Sequence, residues 1–208
     1  GFLQGLRDIT KQYGTVLIFD EVITGFRLAL GGAQDYYGVT PDMTTFGKIV
    51  GGGMPMAVYG GRREIMDCIS PTGPVYQAGT LSGNPVAVAA GTAMLKLLMG
   101  DTAVYERLEE KSARIENALE KYHIKAQVNR VGSLMSIFFT DRPVKSFDDV
   151  QTSDLAQFAK YFRVMKAHSM YIAPSQYEAF FVNDALSEAD LQMTERAIDA
   201  ALSKLFDA

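Results

Sequence analysis

A single cysteine, Cys68, excludes an internal disulfide framework and points to a reducing compartment. The two histidines, His123 and His168, are far apart and have no cysteine or histidine neighbours at metal-ligand spacing. That argues against a zinc site and assigns both a surface or structural role. Charge of one sign is also missing: 20 basic residues stand against 24 acidic ones, for a formal net charge of −4. No broad basic surface is available to recruit nucleic acid or an anionic membrane, so any phosphate ligand has to be held by local groups. The longest apolar stretch, from Val86 to Met99, is interrupted by Gly91, Thr92 and Lys96 and falls short of a bilayer span. The first residues lack the charged region, apolar core and cleavage site of a signal peptide, and the expectation is a cytoplasmic protein. Repeats and low-complexity tracts are absent as well.

What is present suffices for a real core: 48% of the 208 residues are hydrophobic, enough for one large domain or two small ones. Phe2, Leu3, Leu6, Ile9 and Tyr13 recur at helical spacing, and Gly14 stops them. The run Thr15 to Asp20 then reads as a buried strand whose last residue is a carboxylate. Ala33 to Tyr37 forms a short turn of helix, Met43 to Phe46 a second strand and Met56 to Gly61 a third. The connection between the last two is too short for a crossover helix, which predicts antiparallel neighbours. Arg62 to Ile69 is read as a helix that buries Cys68 as a small hydrophobe. Asn84 caps, and Pro85 opens, a helix through Ala87, Ala90, Ala93 and Leu97, with Met94 and Met99 assigned to the core.

From residue 101 to 122, charged residues interleave with Val104, Leu108, Ile115 and Leu119 in a long amphipathic helix, taken as a connector between domains. Beyond it, Ile124 to Val131 and Leu134 to Thr140 pair as strands around Gly132-Ser133. Arg142 to Ser153 reads as a polar loop and Leu155 to His168 as a helix. Met170 to Ala173 and Ala179 to Val182 read as extended pieces, and Leu186 to Leu205 as the terminal helix. The organisation is an α/β region over residues 1–100, the connecting helix over 101–122, and a smaller α+β domain over 123–208.

Three features lie at strand ends or at a helix start: Asp20, Lys48 and the Gly79 to Asn84 loop. Lys48 stands in Phe46-Gly47-Lys48-Ile49-Val50-Gly51-Gly52-Gly53, where glycines let backbone and ligand approach closely. An amine placed so can react with a carbonyl. A solvated loop lysine is the alternative, and an ordinary capped helix is the alternative for the Asn84 region. Taken together, an amine, a carboxylate to face a pyridine nitrogen, and a glycine- and hydroxyl-bearing helix start as a phosphate seat are what pyridoxal phosphate requires.

Ile18-Phe19-Asp20-Glu21-Val22-Ile23-Thr24-Gly25-Phe26-Arg27 and the stretch Phe46 to Pro55 resemble the signature of the class III aminotransferases of fold type I. Gly73 to Pro85 and Ala173-Pro174-Ser175-Gln176-Tyr177-Glu178-Ala179 resemble more narrowly the glutamate-1-semialdehyde 2,1-aminomutases. The resemblance implies the C-terminal part of the large cofactor-binding domain of an α/β fold, followed by the small domain. It implies that Lys48 bonds to the cofactor aldehyde and shuttles protons, that Asp20 pairs with the pyridine nitrogen and that Val22 packs on the ring. Gly79 and Thr80 would hold the cofactor phosphate across a subunit interface, and Glu178 would face the substrate's amino groups, a surface acid being the alternative for Glu178.

The implied reaction is an amino exchange within glutamate 1-semialdehyde that gives 5-aminolevulinate for tetrapyrrole synthesis, with pyridoxal and pyridoxamine phosphate as cofactor forms. A class III omega-aminotransferase and a non-catalytic folding or association module are the other readings. Two departures stand out. The chain starts at the family's midpoint, so it is expected to be inactive alone and to associate as a homodimer or other oligomer. And Asn183-Asp184-Ala185-Leu186 stands where Ser-Leu-Ala-His is common in the family.

Overall fold

The computed structural model describes residues 1–121 and 125–206, which form two compact units, Gly1–Thr102 and Ala103–Ala208. His123 lies outside the described residues.

The first unit opens with α1 (Phe2–Gln12), which ends where Gly14 takes a left-handed φ of +63°. Its apolar residues have the periodicity of a packed helix, yet none is buried and Phe2 is 77% exposed. A three-stranded sheet follows, in the order β1 (Ile18–Glu21), β2 (Met43–Phe46), β3 (Val58–Gly61). β1 runs parallel to β2 in the register Ile18↔Met43 to Glu21↔Phe46, and β2 pairs antiparallel with β3 as its short connection requires. The expectation of a buried strand fails for β1. It is an edge strand, and Ile18 is 54% exposed while Leu17 and Glu21 are buried.

Asp42, buried ahead of β2, ties this unit together. Its carboxylate accepts from Arg7 at 3.0 Å, from Arg62 at 2.8 Å and from the Leu17 backbone N–H at 2.7 Å. The Arg7 hydrogen bond, then that of Leu17, holds its pKa below the ordinary carboxylate value, since each favours the charged form. The short α2 (Gly32–Tyr36) lies between β1 and β2. After β3, α3 spans only Arg63–Met66, shorter than its pattern suggests, and leaves Cys68 exposed rather than buried. In α4 (Pro85–Gly100) the Asn84 side chain accepts from the N–H groups of Val86 and Ala87, both at 3.1 Å. This helix is apolar nearly all round, but only Ala87 and Gly91 are buried; Met99, assigned to the core from sequence, is 68% exposed.

In the second unit, β4 (Gln127–Val131) and β5 (Leu134–Phe138) form the expected hairpin about Gly132-Ser133, and β6 (Phe180–Phe181) joins antiparallel to β5. Helices α5 (Val104–Glu120), α7 (Leu155–Ala167) and α8 (Glu188–Phe206) supply Ile115, Leu119, Tyr161, Met165, Ile198 and Leu202 to one core with Met135 and Ile137 of the sheet. The helix read as a connector is α5, and it contributes to this core. The stretch read as a polar loop contains α6 (Phe147–Gln151), closed by a capping box between Ser146 and Asp149. His168 is the exposed C-cap of α7.

Candidate active site

β1 and β2 are parallel, so their C-terminal ends open on the same edge of the sheet, where ligands bind in open α/β folds. Asp20 lies opposite Thr45 in the register, and Lys48 follows β2 after one glycine. The structure therefore brings these strand ends together. Asp20 is exposed and its Oδ1 accepts the Val22 backbone N–H at 3.0 Å, which fixes the carboxylate at the head of the strand.

Lys48 is more than a loop lysine. It opens a 3-10 turn over Lys48–Gly51 with a φ of +50°, a left-handed conformation that a residue with a Cβ seldom adopts. Such strain costs about 1–2 kcal/mol and persists only where the surroundings dictate it. Two close approaches supply that constraint. A Cβ on Gly47 would lie 3.1 Å from Val22 Cγ1, and one on Gly91 of α4 would run into the Val50 carbonyl oxygen. The turn is thus clamped between the residue after β1 and the small-residue stripe of α4. Lys48 is exposed, and among the described residues no hydrogen bond or ion pair engages its Nζ. A strained backbone therefore presents an amine that has no structural partner.

Sequence reasoning missed Glu21. Side chains alternate along a strand, so the acid after Asp20 faces the other way. Glu21 is 1% exposed and accepts from Thr24 Oγ1 at 3.0 Å, Ala33 N–H at 2.5 Å, Gln34 N–H at 3.0 Å and Gln34 Nε2 at 3.1 Å. It anchors the long β1–β2 connection to the strand end that carries Asp20. Two consecutive acids closing an apolar run were the available signal.

Gly79 and Thr80 lie in the loop before α4, which folds on itself through Ser82 N–H to Gly79 O at 2.9 Å and Asn84 N–H to Leu81 O at 3.1 Å. Both are exposed, and no hydrogen bond or ion pair among the described residues joins them to Lys48, Asp20 or Val22. Glu178 belongs to the second unit. It is exposed at the rim of a cavity of about 450 Å³ that Tyr161 and Leu186 also line. Leu186 packs against that unit's core. Two residues earlier, Asp184 is gripped by Arg107 at 2.7 Å and Lys111 at 3.1 Å, which hold its pKa down to about 2. The departure at Asn183 to Leu186 thus contains a structural peg that fastens the segment to α5.

Residues 1–198 match the family described as aminotransferase class-III. A glutamate-1-semialdehyde 2,1-aminomutase 2 of Lachnoclostridium phytofermentans is 52% identical over 206 residues, which are 97% of this chain and 48% of that protein. A glutamate-1-semialdehyde 2,1-aminomutase of Sulfurihydrogenibium azorense is 54% identical over 195 residues, 92% and 45% respectively. Among solved structures, a β-phenylalanine aminotransferase of Variovorax paradoxus superposes with a TM-score of 0.88 at 33% identity, covering 98% of this chain and 47% of that one. An omega-transaminase of Sphaerobacter thermophilus gives a TM-score of 0.83 at 33% identity, covering 98% and 48%. The chain spans about half the length of the relatives it matches. A fold shared over nearly all of its residues, and a sequence match through residue 198, place the chain in the class-III aminotransferase family.

Proposed function

We propose that this chain carries the lysine-bearing portion of a pyridoxal-phosphate-dependent aminomutase that converts glutamate 1-semialdehyde to 5-aminolevulinate. The observation that carries the reading is Lys48: a partnerless amine on a strained backbone, beside the strand end that holds Asp20. The narrower choice of aminomutase is supported by relatives of that name that are 52% and 54% identical to the chain over the 48% and 45% of their own length that it matches.

The residues present fit the cofactor. Lys48 offers a free amine, Asp20 an exposed carboxylate at the same sheet edge, and Gly47 a close approach to the Val22 side chain that a Cβ would crowd. When bound, pyridoxal phosphate supplies an electron-withdrawing ring that stabilises negative charge at the substrate carbon as a proton leaves. Lys48 Nζ anchors the cofactor's aldehyde carbon and carries the proton exchanged at the substrate. The Asp20 carboxylate, oriented by the Val22 N–H, keeps a proton on the ring nitrogen. Val22 forms the apolar support for one ring face.

Gly79 and Thr80 hold the phosphate of a cofactor bound to a second copy, which accounts for their exposure and makes the working unit a homodimer. The Glu178 carboxylate receives the substrate's amino groups. The expected location is the cytoplasm, where a lone exposed cysteine stays reduced.

A class III omega-aminotransferase is the second reading, favoured by Leu186 at the position where the aminomutase pattern has histidine. The products distinguish the two. Mixed with the N-terminal half of the S. azorense relative, the chain should form 5-aminolevulinate from glutamate 1-semialdehyde, and Lys48→Ala should abolish this. Transfer of a terminal amine to pyruvate without 5-aminolevulinate would establish the aminotransferase instead. The 208-residue chain alone should form none, and product above a Lys48→Ala control would overturn that expectation.

A further inference from the structure

The second unit has a basic groove that the proposed chemistry does not use. It lies between α7 and the C-terminal part of α8 and is a half-open depression of about 590 Å³. Lys160 and Arg163 stand one turn apart on α7, and Lys204 faces them from α8. The rest of the lining is mostly apolar: Val164 and Ala167 continue the α7 stripe, Ala200 and Leu205 come from α8, and the imidazole of His168 stands at the end of α7. No carboxylate lines the groove.

The contrast with α5 gives this placement meaning. On α5, Arg107 and Lys111 pair with Asp184, and Arg114 pairs with Glu188 and Glu195. Lys121, just past α5, reaches Asp199. Lys160, Arg163 and Lys204 have no hydrogen bond or ion pair among the described residues. Of the nearby acids, Asp154 interacts electrostatically with Lys160 but does not line the groove, and both it and Asp199 hold other partners. Asp154 caps α7 through the N–H groups of Ala156 and Gln157, and Asp199 is held by Lys121. In a chain whose formal net charge is −4, three cations lining one groove that no carboxylate lines form a local exception.

We propose that this groove binds a phosphate-bearing small molecule with an organic body, of about the size of a nucleoside di- or triphosphate. Two ammonium groups and a planar guanidinium suit phosphate oxygens, the guanidinium through paired N–H donors. The volume is several times that needed for one phosphate and lies in the range of small-molecule sites. The apolar part of the lining gives the organic part of the ligand a surface to cover.

The test is calorimetric titration of the chain with inorganic pyrophosphate and with ATP at low salt. Saturable one-to-one binding is expected, with ATP the tighter of the two, and weakening as salt is raised. Lys160→Ala/Lys204→Ala should weaken it at least tenfold, Arg163→Ala should weaken it severalfold, and all three side chains are exposed, so circular dichroism should stay unchanged. Lys166→Ala, which removes an α7 cation outside the groove, should bind like the parent chain. Absence of saturable binding, equal affinity for the two probes, or an equal loss in Lys166→Ala would overturn the proposal. Loss in Lys48→Ala would assign the anion to the Lys48 site instead of the groove and overturn it as well.

Discussion

Replacing Lys48 by glycine and by alanine separates the strain of its backbone from the chemistry of its amine. Both variants lack the amine, so any difference between them reports the conformation alone. At a φ of +50°, a residue with a Cβ pays about 1–2 kcal/mol relative to ordinary backbone. Alanine keeps that penalty and glycine removes it. Glycine's greater freedom in the unfolded chain offsets about 0.5–1 kcal/mol of the gain. Lys48→Gly should therefore be more stable than Lys48→Ala by about 0.5–1 kcal/mol, or about 1–4 °C in melting temperature for a chain of this length. Differential scanning calorimetry on the two variants, with urea titration as a check, measures it. An alanine variant as stable as the glycine variant would refute the claim that this backbone is strained.

Three further outcomes follow from the same geometry. Gly91→Val forces a branched side chain against the Val50 carbonyl, and the overpacking should cost about 1–3 kcal/mol in urea unfolding and loosen the Lys48 turn. Glu21→Ala leaves the N–H groups of Ala33 and Gln34 without their acceptor and should cost about 2–3 kcal/mol, measured the same way. Asp42 has its pKa depressed in the folded state, chiefly by the Arg7 hydrogen bond. Its contribution is therefore complete above the unfolded value of 3.8 and is lost as pH falls through the folded value. Stability should fall on acidification below about pH 4, and Asp42→Asn, less stable at neutral pH, should show a shallower fall.

The features legible in the sequence were those set by local chemistry. Met43 to Phe46 is a strand between turn residues, Asn84-Pro85 is a cap whose acceptor and ring act on adjacent residues, and Gly132-Ser133 is a hairpin turn. Asp20 and Lys48 could be placed at strand ends because apolar runs stop at them. The features that escaped depend on what packs where. Ile18 and Met99 are as apolar as any core residue, and only the tertiary structure shows β1 to be an edge and most of α4 to be uncovered. Cys68 became exposed because α3 ends at Met66. The α6 capping box was present as Ser146 and Asp149, but the polar residues around it concealed a short helix. Neither the left-handed backbone of Lys48 nor the burial of Glu21 can be read from residue type, since both arise from neighbours distant in sequence.

The central claim is that Lys48 is held out as a reactive amine for a carbonyl cofactor. The most direct measurement is to incubate the chain with pyridoxal phosphate, reduce with borohydride and map the labelled peptides by mass spectrometry. One dominant label at Lys48, absent from Lys48→Ala while the other lysines stay at background, is the predicted result. Labelling spread over the surface lysines, with Lys48 no richer than the rest, would contradict it.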